Sequence, residues 1–86
     1  MEFDWDADKA ASNLAKHGVA FEVVLDLDWA AAIIRTVPGD FGEPRWTAFH
    51  RAGDERTVVV FTRRGAIYRI ISVRRGHEKE FRHWLE

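Results

Sequence analysis

Two groups of residues in this sequence carry side chains suited to proton transfer and to binding phosphate. The first is Lys16-His17-Gly18. Histidine moves protons near neutral pH, and lysine stabilises developing negative charge. The second is the run that holds Arg69, Arg74 and Arg75. A guanidinium presents several donors in one plane and keeps its charge, so it suits phosphate. Each group also has a plain structural reading. Cations at a helix C-terminus favour the macrodipole, and His17 can pack with Leu14. The arginines can be solvated, or can pair with an acidic first helix.

Other chemistries find little support. There is no cysteine, which removes disulfides, thiolate metal sites and cysteine nucleophiles, and fits a reducing, cytoplasmic setting. His50, His77 and His83 lack the spacing of a metal site. No glycine-rich phosphate loop and no serine nucleophile motif occurs, so no cofactor is expected. Trp5, Trp29, Trp46 and Trp84 can stack bases, but in a small domain such rings belong to the core. No apolar run approaches the ~18–20 residues of a membrane helix. The acidic start lacks the order of a signal peptide. The net charge of −1 hides an asymmetry. The charged residues among the first 28 are mostly acidic, and the last third is rich in arginine. Such a split places a positive surface on a nearly neutral protein, unless the two halves neutralise each other.

The elements that must position these groups can be read from periodicity. The length predicts one domain over residues 1–86. Phe3-Asp4-Trp5 reads as a short edge strand. Asp6 can cap a helix over 7–17 that Gly18 ends. Ala10, Leu14 and His17 share one face of that helix; Lys9, Asn13 and Lys16 share another. A second short helix is expected over 21–27, with Phe21, Val24 and Leu25 inward. Residues 31–37, 45–51, 56–62 and 66–75 read as strands separated by turns. A closing helix fits 77–86, with Phe81, Trp84 and Leu85 at core spacing and a Glu78/Arg82 pair. Strands joined by tight turns are antiparallel. The result is an α+β fold: a short N-terminal strand, two helices, an antiparallel sheet of about four strands covered mainly on one face, and a C-terminal helix. On the last strand, alternation puts Tyr68, Ile70, Ser72 and Arg74 on one face, and Arg69, Ile71, Val73 and Arg75 on the other. Arg74 and Arg75 should therefore diverge, unless a bulge or the strand end turns them together.

Several segments together resemble the BrnT toxin family. They are Phe3-x-Trp5-Asp6-x-x-Lys9, Asn13-x-x-Lys16-His17-Gly18-Val19-x-Phe21-Glu22, Gly42-Glu43-x-Arg45, Val58-Val59-Val60-Phe61-Thr62 and Arg69-Ile70-Ile71-Ser72-x-Arg74-Arg75. They fall in the family's order and span almost the whole chain. The resemblance implies a RelE-like fold and a metal-independent endoribonuclease that inhibits translation. It implies a BrnA-like antitoxin partner, an RNA substrate, and operator DNA contact only through the toxin–antitoxin complex, with no membrane association. It also assigns roles. His17 would transfer a proton or bind phosphate, Lys16 would act electrostatically, and Arg69, Arg74 and Arg75 would stabilise the phosphate. Glu22 is a further candidate base. The chain departs from the family where Ser72-Val73-Arg74-Arg75-Gly76 replaces Ser-Ala-Arg-Arg-Ala, in the acidic His77-Glu78-Lys79-Glu80, and in Asp40-Phe41. Two rival readings remain: a related binding module without catalysis, and a stand-alone RNA-binding domain. The second lacks an RNP-like aromatic motif.

Overall fold

A computed structural model describes residues 1–85, with side chains through His83. The predicted core positions Trp84 and Leu85 lie outside the described side chains. Five strands form one sheet: β1 (Glu2–Trp5), β2 (Ile33–Thr36), β3 (Trp46–Ala52), β4 (Glu55–Arg64) and β5 (Ile67–Arg75). Two α-helices flank it, α1 (Ala7–His17) and α2 (Glu78–Leu85). The strand order is β1-β5-β4-β3-β2. β2 to β5 form the expected antiparallel meander, through two-residue turns at Gly53-Asp54 and Gly65-Ala66. β1 is the predicted edge strand, but it pairs parallel with β5, so the sheet is mixed.

Local chemistry accounts for α1. The Asp6 carboxylate accepts from the backbone N–H groups of Asp8 and Lys9 at 2.9 and 3.0 Å, satisfying two donors of the first turn. Those bonds, Lys9's first, hold the Asp6 carboxyl below its usual range. Gly18 closes the helix at φ +70°, where its N–H donates to Leu14 O at 2.8 Å. Only glycine takes that conformation without strain.

α1 turns a polar residue inward. Leu14 is 51% exposed, and Asn13 is buried instead. The reason lies in β5. β1 pairs only with Ile67 to Ile70, which leaves the rest of that β5 edge without a strand. Asn13 fills in. Its Nδ2 donates to Val73 O at 2.8 Å and to Val19 O at 3.0 Å, and its Oδ1 accepts from Val73 N–H at 3.1 Å. One side-chain amide thus does for Val73 what a neighbouring strand would do.

The segment after α1 is a 3-10 helix, Phe21–Asp26. At three residues per turn, Phe21 and Val24 fall on one side and are fully buried. Leu25 is carried round to solvent and is 60% exposed, contrary to expectation. A second 3-10 turn, Trp29–Ala31, leads into β2.

The sheet is covered mainly on one face, as expected, with a smaller core on the other. Phe21 and Val24 pack with Val59, Phe61, Ile70 and Val73 on the first face, with Trp5, Trp29 and Trp46 around them. On the other face Phe81 of α2 packs with Phe49 and Val58. The ring also explains Gly76. A Cβ there would sit 2.3 Å from Phe81 Cε1 and 3.1 Å from Val58 Cγ2. Gly76→Ala should therefore lower stability by about 1–3 kcal/mol, as overpacking does. Urea unfolding checks this, and the loss should shrink when Phe81 is also cut back to leucine.

Candidate active site

The end of α1 meets the end of β5. Lys16, His17, Arg74 and Arg75 border one cleft of about 570 Å³, with His77 and Glu80 across it. Asn13 fixes the separation, because its two bonds to Val73 lie one turn before His17 and one residue before Arg74.

Arg74 and Arg75 do point to opposite faces of the sheet. Arg74 stands opposite Val58, on the α2 side, and Arg75 stands opposite Thr57. Both still reach the cleft, because it wraps the strand end. The face shared with Arg69 is the one point where simple alternation fails. The register shifts between Val60 and Phe61, leaving Ile71 as an extra residue on β5. Tyr68 and Ile70 therefore share the first core with Val73, and Arg69 falls on the Arg74 side rather than the Arg75 side.

The cleft's arginines are already engaged. Arg74 binds Glu80 through both nitrogens, with Nη1 donating to Oε1 at 3.0 Å. The paired bonds hold the Glu80 carboxyl below its usual value and raise that of Arg74 further. Glu80 Oε1 also lies 3.5 Å from His77 N, the reach-back half of a capping box at the start of α2. Arg75 Nη1 donates to Thr57 Oγ1 at 2.7 Å and lies 3.3 Å from Glu55. Among the described residues, the Lys16 and His17 side chains make no hydrogen bond or ion pair.

A pH prediction follows from Glu80. Its folded carboxyl holds a proton less tightly than the unfolded one does. The stability it adds is complete above the unfolded value of about 4.3, and is lost as pH falls through the lower folded value. Glu78, lowered by its hydrogen bond from Arg82, and Asp6 act in the same sense. The urea midpoint should hold level from about pH 7 to 5 and drop below about pH 4. Glu80→Gln should make that drop shallower.

Two predicted site residues lie elsewhere. Arg69 is in a second cleft with Asp6, Lys9, Glu43, Arg45 and Arg64, and its Nη1 lies 3.3 Å from Asp4 Oδ2. Glu22 stands exposed on the first 3-10 segment and borders neither cleft. His50 is buried, and its Nε2 accepts from Asp28 N–H at 3.2 Å, a structural bond. Among the described residues, no three His, Asp or Glu side chains are grouped to hold a metal ion. An apolar hollow of about 430 Å³, lined by Trp29, Trp46, Phe61 and Tyr68 among others, holds none of the predicted site residues.

His77 and Glu80 are cleft residues that sequence reading did not single out. Their spacing, three apart at a helix start, is the signal that was available. Lys9, Glu43 and Arg45 were visible only as members of motifs, with no role attached.

The fold is that of a ribonuclease toxin. Over residues 5–80 the sequence matches the family model described as "Ribonuclease toxin, BrnT, of type II toxin-antitoxin system". The chain belongs to this BrnT family. The structure is similar to the crystal structure of the Brucella abortus ribonuclease toxin BrnT, at 28% identity and a TM-score of 0.67. That match covers 91% of this chain and 99% of the Brucella chain. No curated protein is significantly similar in sequence. No helix among the described residues is long and apolar enough to cross a membrane.

Proposed function

We propose that this chain cuts RNA without a metal ion, by attack of a ribose 2′-hydroxyl on the adjacent phosphorus. The observation that carries this reading is the single cleft bordered by Lys16, His17, Arg74 and Arg75. His17 takes the proton from the 2′-oxygen. The new bond from that oxygen to phosphorus forms as the bond to the 5′-oxygen breaks. The products are a 2′,3′-cyclic phosphate and a free 5′-hydroxyl. His77, on the same cleft, returns a proton to the leaving 5′-oxygen; two imidazoles suit a base and an acid. Lys16, Arg74 and Arg75 stabilise the charge that builds on the phosphate oxygens. Arg69 and Glu22, outside this cleft, have no part in the bond-breaking step.

The toxin would inhibit translation in the cytoplasm and be silenced by a BrnA-like antitoxin, which makes the complex's contacts with operator DNA. Exposed apolar side chains support a protein partner. Leu14 stands out from α1, and Ile34, 41% exposed, stands on the edge strand β2. Edges and apolar faces of this kind invite another chain. Co-purification with the neighbouring gene product checks the partner.

The test of the activity is direct. The purified chain, freed of partner and with chelator present, should cut single-stranded RNA and leave a cyclic phosphate end. No cleavage and no growth arrest on expression would overturn the enzyme reading. Cleavage abolished by chelator would overturn metal independence. One observation favours a second reading, a binding module without catalysis: Glu80 and Glu55 occupy the arginines that a phosphate would need. Antitoxin binding without cleavage would establish it.

A further inference from the structure

The first cleft continues beyond His17. Lys16 and His17 also border a shallow groove that runs back along α1 past Asn13 to Lys9, with Ile71 and Ser72 of β5 beside it. Lys9 and Ile71 in turn border the second cleft. The two clefts are therefore the ends of one trough. Lys9 and Lys16 stand about two helical turns apart, roughly 10 Å along the axis.

The second cleft is the smaller end, about 210 Å³. Four cations reach it from four parts of the chain: Lys9 from α1, Arg45 from just before β3, Arg64 from the end of β4 and Arg69 from β5. The nearby carboxylates are partly committed. Asp6 caps α1, and Asp4 holds Arg69. Glu43 approaches Arg64 only to 3.7 Å, too far for a hydrogen bond. Lys9 and Arg45 have no ion pair among the described residues. The Arg45 guanidinium lies over the Phe41 ring at 4.4 Å, and its Nε is buried without an acceptor. A buried donor left unpaired costs free energy, and marks where an acceptor is missing.

We propose that this second cleft is a phosphate subsite for the RNA strand. It holds a phosphodiester one or two nucleotides from the one cut at His17, with the trough beside α1 as the track between them. The assignment rests on the ribonuclease reading for its ligand, and on the cation cluster and the unpaired Arg45 Nε for its place. Phosphate contacts of this kind position a strand without reading its sequence.

The test measures binding of 2′-O-methyl RNA, which cannot be cut because the attacking hydroxyl is blocked. A hexamer spans both clefts; a dinucleoside monophosphate fills one. Arg45→Gln should lower the ratio of hexamer to dinucleotide affinity about tenfold, and reduce the hexamer's salt slope by roughly one phosphate's share. Glu43→Gln removes a competing carboxylate, so it should raise the same ratio about two- to threefold. Opposite signs from neighbouring residues cannot come from misfolding. A ratio unchanged in both variants, or lowered in both, would overturn the subsite. Cleavage of unmodified RNA by the unaltered chain is read in parallel. Should the ratios move as stated while that RNA stays whole, the subsite stands and the ribonuclease reading fails. Should the RNA be cut while the ratios stay fixed, the reverse holds.

Discussion

His17→Gln should lower the single-turnover rate of RNA cleavage by about 10²–10⁴-fold, the contribution of one positioned proton carrier. Glutamine keeps a polar side chain of similar reach but cannot accept and release the proton. His17 is half-exposed at the helix end, and its side chain makes no hydrogen bond or ion pair among the described residues. The urea midpoint should therefore move little, by roughly 0.5 kcal/mol at most, as for other surface changes. Arg74→Ala should lower the rate by about 10²–10³-fold, as loss of one oxyanion donor does. Unlike the histidine change it should also destabilise the chain, because Glu80 loses the partner that binds it through both oxygens. Arg74→Lys keeps the charge but not the fork, and should recover stability better than rate. Cleavage at the unaltered rate in His17→Gln would remove the histidine from the mechanism and leave the fold assignment intact.

Asn13→Ala should lower stability by about 3 kcal/mol or more, as much as truncating a buried core side chain. It strands the N–H and C=O of Val73 and the C=O of Val19, all bonded to the one amide. Each buried group left unpaired costs about 1–3 kcal/mol, and water reaching the β5 edge returns part of that. For a domain of this size the loss corresponds to roughly 12–24 °C in Tm. Asn13→Asp is the sharper probe. It keeps the shape and the bond from Val73 N–H, but sets an oxygen against the carbonyls of Val19 and Val73, so it should be no milder than alanine. Urea and thermal unfolding measure both. A change below about 1 kcal/mol in Asn13→Ala would mean that water replaces the amide at that edge. The same variants should lose cleavage even where folded, since the bonds to Val73 hold α1, and with it Lys16 and His17, against β5.

The sequence made much of this legible, for identifiable reasons. The Asp6 cap, the Gly18 stop and the strands of the meander follow from turn chemistry and alternation, which act over a few residues. What escaped depends on partners distant in the chain. Helical spacing groups Leu14 with Ala10 and His17 but does not say which face of α1 turns inward; Asn13 does so by reaching a free strand edge. Leu25 read as inward because an α-helical period was assumed where three residues per turn apply. The extra residue at Ile71 has no local signature, and it moved Arg69 to the Arg74 side. Of the candidate site, Lys16, His17, Arg74 and Arg75 were legible from residue type and motif together. That Glu80 holds Arg74 was not, because an acidic helix start looks the same whether it faces solvent or a guanidinium.

The parallel pairing of β1 with β5 has a consequence for synthesis. Phe3 is opposite Tyr68, and Asn13 is bonded to Val73 60 residues further on, so β1 and α1 find their partners only in the much later β5. Chains emerge N-terminus first. Until β5 is out, α1 has no sheet edge to dock on, and the cleft between His17 and Arg74 does not exist. A growing chain that has released only β1 to β4 thus lacks the cleft altogether. The cleft is therefore among the last features of these 86 residues to form, because it waits for the strand that carries Arg74 and Arg75.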